Sequence, residues 1–241
     1  MAGTLYIVAT PIGHRDDLAP RALKVLGSVS AIAAENPAST QALLAPHKIT
    51  TPLTSYQNDN KEEKTPILLR RLEEGLNVAL VVDAGTPVIH DPGRFLIDAA
   101  AGRGITISPI PGPSAALAAL SISGFSGDAF SLLGQVPAGS SAQQKLFQRW
   151  KHDSHTLILF TPAHRLSRLL EKLHAVFGDR RAVVAADLTT TEEQIVRGPV
   201  SELAQNPTVQ NLGGDVTVVI EGAREIRGRT HRRRPSGRRV F

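Results

Sequence analysis

Val82-Asp83-Ala84-Gly85-Thr86-Pro87-Val88-Ile89-His90-Asp91-Pro92-Gly93 follows an apolar run over residues 78–82 and opens into a helix-like segment over 94–101. Ile110-Pro111-Gly112-Pro113-Ser114-Ala115 repeats the arrangement, with an apolar run at 105–110 before it and a helix-like segment over 114–121. Apolar runs without polar alternation mark strands covered on both faces. Loops at the carboxyl ends of such strands make a crevice where a ligand meets bare backbone. The two loops are expected at neighbouring strand ends. Gly85 admits a positive φ or a close approach, and Pro87 and Pro92 stiffen the loop. Asp83, Thr86 and Asp91 offer oxygens, and Ser114 sits at a helix N-terminus whose free N–H groups suit a carboxylate.

Outward from these loops, strand-like runs at 5–9 and 29–34 alternate with helices at 21–26, 39–44 and 61–74. The segment 50–60 is polar and reads as a loop. In the helix at 61–74, Ile67, Leu68 and Leu72 are expected to face inward. Strand-then-helix alternation predicts an α/β fold with a mostly parallel sheet. The pattern changes at the Gly/Ser-rich stretch 124–128, the expected boundary between an N-terminal unit, 1–123, and a C-terminal unit, 124–222. The second unit carries strands at 129–133, 156–160, 182–186, 194–196 and 216–220 and helices at 142–151, 164–177 and 200–204. The short link 188–193 suits antiparallel neighbours, so this sheet is expected to be mixed.

The 241 residues include no cysteine, which excludes disulfides, thiolate zinc sites and a cysteine nucleophile. No run is long enough to span a membrane, and no secretion signal opens the chain, so a cytoplasmic location is expected. The net charge is +5. Eight of the 27 basic residues and one of the 22 acidic ones fall in residues 224–241, which therefore carry +7 and leave −2 on the other 223. That tail is expected to be disordered alone. It serves either as an anchor on RNA phosphates or as a solvated end. There is no GxxxxGK[ST] loop, and no GxGxxG follows a strand. His90-Asp91 lacks the further ligands a metal needs.

Taken together, Thr10-Pro11-Ile12-Gly13, an alanine-rich strand ending at Ala34-Glu35, Asp83-Ala84-Gly85-Thr86-Pro87 with Asp91-Pro92-Gly93, Pro111-Gly112-Pro113-Ser114-Ala115, His164-Arg165 and a closing Gly214-Asp215 strand resemble the tetrapyrrole methylase superfamily. Within it they are most similar to the small-subunit ribosomal RNA (cytidine-2′-O-)-methyltransferases. The resemblance covers residues 3–222. It implies two α/β domains with S-adenosylmethionine in the cleft between them, and a homodimer. It places Pro11, Asp83, Gly85, Thr86, Ile89, Ser114 and Ala115 at the cofactor, with Phe160 and Thr217 at its adenine end. The implied partner is ribosomal RNA or the small ribosomal subunit, with neither membrane nor metal.

The chain departs from that pattern on the acceptor side. His14 stands where the family has Asn, Asn36-Pro37-Ala38 where it has Asp-Thr-Arg, and His90 where it has Ser before Asp-Pro-Gly. The loop Gly134 to Ser141 lacks the family's basic residues, and Phe160-Thr161-Pro162-Ala163-His164-Arg165 lacks its acid. A ribose hydroxyl is a weak nucleophile and benefits from a base, for which Glu35 and His14 are the candidates, with His90 and Asp91 on the same side. Arg165 either touches phosphate or makes a structural ion pair. The altered acceptor side leaves open a small macrocycle, such as a tetrapyrrole or corrin precursor, as the acceptor, or a non-catalytic RNA-binding role.

Overall fold

The structure is a computed structural model that describes residues 1–89 and 91–223. The expectations for His90 and for the Arg-rich tail lie outside the described residues. In chain order the first half runs β1 (Thr4–Val8), α1 (Pro20–Leu26), β2 (Ala31–Ala34), α2 (Pro37–Leu44), β3 (Leu53–Ser55), α3 (Lys61–Glu73), β4 (Val78–Val81), α4 (Gly93–Ala101), β5 (Thr106–Ile110) and α5 (Ala115–Ser123). Its five strands form one sheet in the order β3-β2-β4-β1-β5, and every pair is parallel.

Alternate residues of β4 show why the strands are uninterrupted apolar runs. Val78 and Leu80 pack with Leu68, Leu69 and Leu72 of α3 and Leu96 of α4. Ala79 and Val81 pack on the opposite face with Ala22 and Leu26 of α1 and Leu44 of α2. Both faces are covered, so both sets of side chains must be apolar.

The second half runs β6 (Phe130–Gln135), α6 (Ser140–Trp150), β7 (Thr156–Pro162), α7 (Leu166–Phe177), β8 (Arg181–Ala186), β9 (Gln194–Pro199), α8 (Val200–Gln205), α9 (Pro207–Gln210) and β10 (Asp215–Ile220). Its sheet has the order β6-β7-β10-β8-β9. β6 pairs with β7 in parallel and the other pairs are antiparallel, so the sheet is mixed. One face packs on Phe147 of α6, the Leu166, Leu169, Leu170 and Leu173 stripe of α7, and Val200 of α8. The other face, with Ile158, Val183, Ala185 and Val219, packs on Ala116, Ala119 and Leu120 of α5. Thus α5 follows the last strand of the first sheet in sequence but lies on the second sheet, and it joins the two.

Three expectations are corrected. The segment 50–60 contains β3, an edge strand of three half-buried residues paired with β2. Ile67 is 50 % exposed, and Leu69, 2 % exposed, takes the inward place. Thr65, Leu68, Leu69 and Leu72 follow the i, i+3, i+4, i+7 rule that puts them on one helical face, whereas Ile67 falls outside it. Finally, β4 and β5 are not neighbours, because β1 lies between them. The two Gly/Pro loops therefore flank a third element, the Thr10–Gly13 turn.

Leu69→Ala is expected to lower unfolding stability by about 2–5 kcal/mol in urea titrations, while Ile67→Ala changes it by less than about 0.5 kcal/mol. Equal costs at the two positions would contradict this assignment of the α3 faces.

Candidate active site

The loop after β4 is stitched to both of its neighbours. Thr10 N–H donates to the Gly85 carbonyl at 2.9 Å, and Gly85 N–H returns a bond to the Thr10 carbonyl at 3.1 Å. The Thr10 hydroxyl, 1 % exposed as a residue, donates to the Val82 carbonyl at 3.0 Å. Thr86 Oγ1 donates to the Pro113 carbonyl at 3.0 Å, which ties this loop to the turn after β5. Gly85 has φ +83°, a conformation that a side chain would strain. Val88 adopts the same φ without that freedom, so the loop carries local strain.

The second half meets these loops through the turn between β8 and β9. His14 N–H donates to Thr189 Oγ1 at 2.9 Å. Gly13 lies so close to this turn that a Cβ there would come within 2.3 Å of the Leu188 carbonyl. Asp187 (φ 48°) and Thr189 (φ 65°) are both left-handed, and Thr190 bonds back to the Asp187 carbonyl through both its N–H and its hydroxyl. Gly214, φ +63°, sits against Asp187, whose Oδ1 would lie 2.3 Å from a Cβ there.

Between these elements lies a cavity of about 450 Å³, within the range of small-ligand sites. From the first half it is walled by Ile12, Gly85, Thr86, Ile89, Ser114 and Ala115. From the second half come Gln135, Phe160, Asp187, Leu188, Asp215 and Thr217. Ser114 is the N-cap residue of α5 but its side chain makes no capping bond, and the first-turn N–H groups have no acceptor within the helix. The lining holds two carboxylates, Asp187 and Asp215, and no Lys or Arg among the described residues.

The structure thus brings Gly85, Thr86, Ile89, Ser114, Ala115, Phe160 and Thr217 together in this one cavity. Pro11 and Asp83 instead line a smaller cavity of about 180 Å³ with Arg15 and Thr40. Glu35 lines a third, of about 310 Å³, with Gln57, Asn58, Asp59 and Pro92. The loop from Val82 to Pro92 walls all three. His14 lines none of these cavities; it caps a short 3-10 turn by accepting Asp16 N–H at 3.2 Å. Sequence reasoning missed Asp187, whose turn carries no glycine to mark its left-handed residues. Gln135 lay in a loop read only for its lack of basic residues.

Three carboxyl groups gather around the Val82–Pro92 loop. Glu35 Oε2 accepts Asp83 N–H at 3.2 Å. Its pKa is raised, first by burial and then by the nearby Asp83 and Asp91 charges, against the opposing effect of that hydrogen bond. Burial also raises Asp83, opposed by the Asn36 N–H, and Asp91, opposed chiefly by the Gly93 N–H at 2.7 Å. Asp91 therefore acts as a brace that turns the loop into α4.

A raised carboxyl pKa means that the folded state holds the proton more tightly than the unfolded state. The resulting stabilisation is present below the unfolded pKa and is lost as pH rises through the folded one. Glu35→Gln keeps an acceptor for Asp83 N–H and removes the charge. This variant should be at least as stable as the parent at pH 7 in urea titrations, with any advantage vanishing near pH 4. A large loss of stability confined to neutral pH would contradict the assigned cause.

A family model for Tetrapyrrole (Corrin/Porphyrin) Methylases matches residues 4–204. Ribosomal RNA small subunit methyltransferase I of Escherichia coli O157:H7 is 41% identical over 223 residues, which cover 91% of this chain and 78% of that protein. The protein of the same name from Thermotoga maritima is 36% identical over 220 residues, covering 91% and 99%. Among solved structures, uroporphyrin-III-C-methyltransferase from Thermus thermophilus superposes with a TM-score of 0.64 at 22% identity, covering 91% of this chain and 94% of that one. A diphthine synthase does so with 0.67 at 16%, covering 91% and 90%. At such identities these structures establish the fold alone. The chain belongs to the tetrapyrrole methylase family, grouping by sequence with the ribosomal RNA small subunit methyltransferases I, and is an S-adenosylmethionine-dependent methyltransferase.

Proposed function

We propose that the protein transfers a methyl group from S-adenosylmethionine to small-subunit ribosomal RNA, at the 2′-oxygen of a cytidine. The single observation that carries the donor assignment is the charge of the main cavity. Its lining holds Asp187 and Asp215, and among the described residues it holds neither Lys nor Arg. Such a lining disfavours a phosphate-bearing cofactor and suits a cationic donor without phosphate. The uncapped first turn of α5 suits the donor's carboxylate, and Ile12, Phe160 and Leu188 supply apolar walls for its adenine. The bound donor supplies an activated methyl group, and the protein's main contribution is alignment, from which roughly 7–11 kcal/mol is available. The RNA acceptor is supported by the names of the relatives that share about two fifths of their residues with this chain.

The acceptor side is assigned to the cavities beyond the Val82–Pro92 loop. Glu35 lies there with its pKa raised by burial, the direction that moves a carboxylate toward work as a base near neutral pH. His14, exposed and with its N–H bonded to Thr189 Oγ1, is the second candidate. We further propose a cytoplasmic homodimer. Among the described residues no helix is long and apolar enough to cross a membrane.

Transfer of label from S-adenosylmethionine into undermethylated small subunits, run beside a porphyrinogen acceptor, tests the reading. Label in the RNA alone is expected, and label in the macrocycle alone would overturn it. If Glu35→Gln and His14→Ala each retained full turnover with saturable donor, neither would be the base. The expected result is a loss of about 10²-fold or more in kcat for the one that serves.

A further inference from the structure

The turn at 57–60, between β3 and α3, carries none of the motif residues, yet it walls the acceptor side. Gln57, Asn58 and Asp59 line the cavity of about 310 Å³ together with Glu35 and Pro92. The turn is pre-formed. Asn60 Oδ1 accepts Gln57 N–H at 2.8 Å, and the Gln57 carbonyl accepts Lys61 N–H at 2.9 Å. Asn60 Nδ2 donates to Ser55 Oγ at 3.1 Å, which ties the turn back to β3.

Each amide in this lining has one end engaged, and its partner fixes which end. Gln57 Nε2 donates to the Glu35 carbonyl at 2.8 Å. A carbonyl only accepts, so Gln57 Oε1 is the open acceptor. Lys61 Nζ donates to Asn58 Oδ1 at 3.2 Å. An ammonium only donates, so the Asn58 NH2 group is the open donor. The exposed Asp59 carboxylate makes no hydrogen bond or ion pair among the described residues. The open groups are therefore rich in acceptors. The lining holds two carboxylates, Glu35 and Asp59, and among the described residues no Lys or Arg, so it disfavours a phosphate and suits a neutral group with N–H bonds to give. Beside the cavity, the same Lys61 Nζ lies 5.6 Å from the centre of the Phe95 ring, and Phe95 is 42 % exposed. An exposed ring next to a polar cavity offers bases a stacking platform.

We infer that this cavity takes the base of the acceptor nucleotide and selects cytosine over uracil, with Gln57 and Asp59 as the residues that read it; this rests on the RNA acceptor proposed above. Cytosine carries an exocyclic amine with two N–H bonds and, next to it, a ring nitrogen that accepts. Uracil has a carbonyl in place of the amine and a single ring N–H. Gln57 Oε1 and the Asp59 carboxylate can take both hydrogens of the amine, while the Asn58 NH2 group donates to the ring nitrogen. Uracil would set its carbonyl against the same two oxygens, acceptor facing acceptor. Glu35, in the same lining, is left for the ribose hydroxyl. Phe95 holds a neighbouring base by its face, which every base presents, so it adds affinity without choosing between the two pyrimidines.

The test measures binding of oligocytidylate and oligouridylate of equal length to the full chain and to Asp59→Ala, Asp59→Glu and Phe95→Ala at one salt concentration. The two oligonucleotides carry the same number of phosphates, so the ratio of their affinities reads the bases. The parent should prefer oligocytidylate by about 5- to 100-fold. Asp59→Ala should bring the ratio close to one, and Asp59→Glu, which keeps a carboxylate, should hold it above that. Phe95→Ala should weaken both oligonucleotides and leave the ratio as it was. Asp59 is exposed and outside the main cavity, so its substitutions should leave the fold and donor binding unchanged. Equal affinities in the parent, no binding of either oligonucleotide, or a preference that survives in Asp59→Ala would overturn the inference. The RNA acceptor itself stands or falls separately, on whether small subunits or the macrocycle take the label.

Discussion

The near-contact between Gly13 and the Leu188 carbonyl is the constraint on which the cleft depends. A Cβ at position 13 would fall 2.3 Å from that oxygen and within 2.8 Å of Thr189 and Thr190 atoms. With hydrogen there, the Thr10–Gly13 turn can lie against the β8–β9 turn, and the next residue's N–H, that of His14, can donate to Thr189 Oγ1. A cavity of about 450 Å³ is left between the two halves. The loop after β4 is fixed to this turn through Thr10 and Gly85 and to the loop after β5 through Thr86 and Pro113, so this wall of the main cavity is assembled before any ligand arrives. Preassembly of this kind lowers the ordering cost of binding.

α5 carries the second part of the arrangement. Its N-terminus opens at the cavity through Ser114, and its Ala116, Ala119 and Leu120 pack on the second sheet. One helix thus presents the first-turn N–H groups and fixes the position of the second sheet relative to them. The Val82–Pro92 loop is the partition: Gly85, Thr86 and Ile89 face the main cavity, while Asp83, Pro92 and the neighbouring Glu35 face the smaller ones. Residues that stood together in the sequence motif are divided by the fold between two sides of one wall.

Much of the first sheet was legible because both its faces are covered, which forces apolar runs such as Val78 to Val81 that need no helical partner to be recognised. β3 was not, since an edge strand of three half-buried residues leaves no run. Ile67 misled because an apolar residue one position off the stripe reads like its neighbours until the period is counted through Thr65, Leu68, Leu69 and Leu72. The interposition of β1 between β4 and β5 could not be read, because strand order is a property of long-range pairing. Of the cavity, Gly85, Thr86 and Ser114 were visible through glycine, proline and cap chemistry. Asp187 was hidden, as nothing local marks a left-handed aspartate in a polar turn. Glu35 was visible at a strand end, but not its bond to Asp83, which joins residues 48 apart in sequence.

Hydrogen exchange with and without S-adenosylmethionine tests the central claim most directly, because it reads every segment of the chain at once. A donor seated between the sheets should slow exchange together at residues 84–89, 114–117, 187–190 and 214–217, which come from both halves. Protection confined to one half, or centred away from these four segments, would contradict the account.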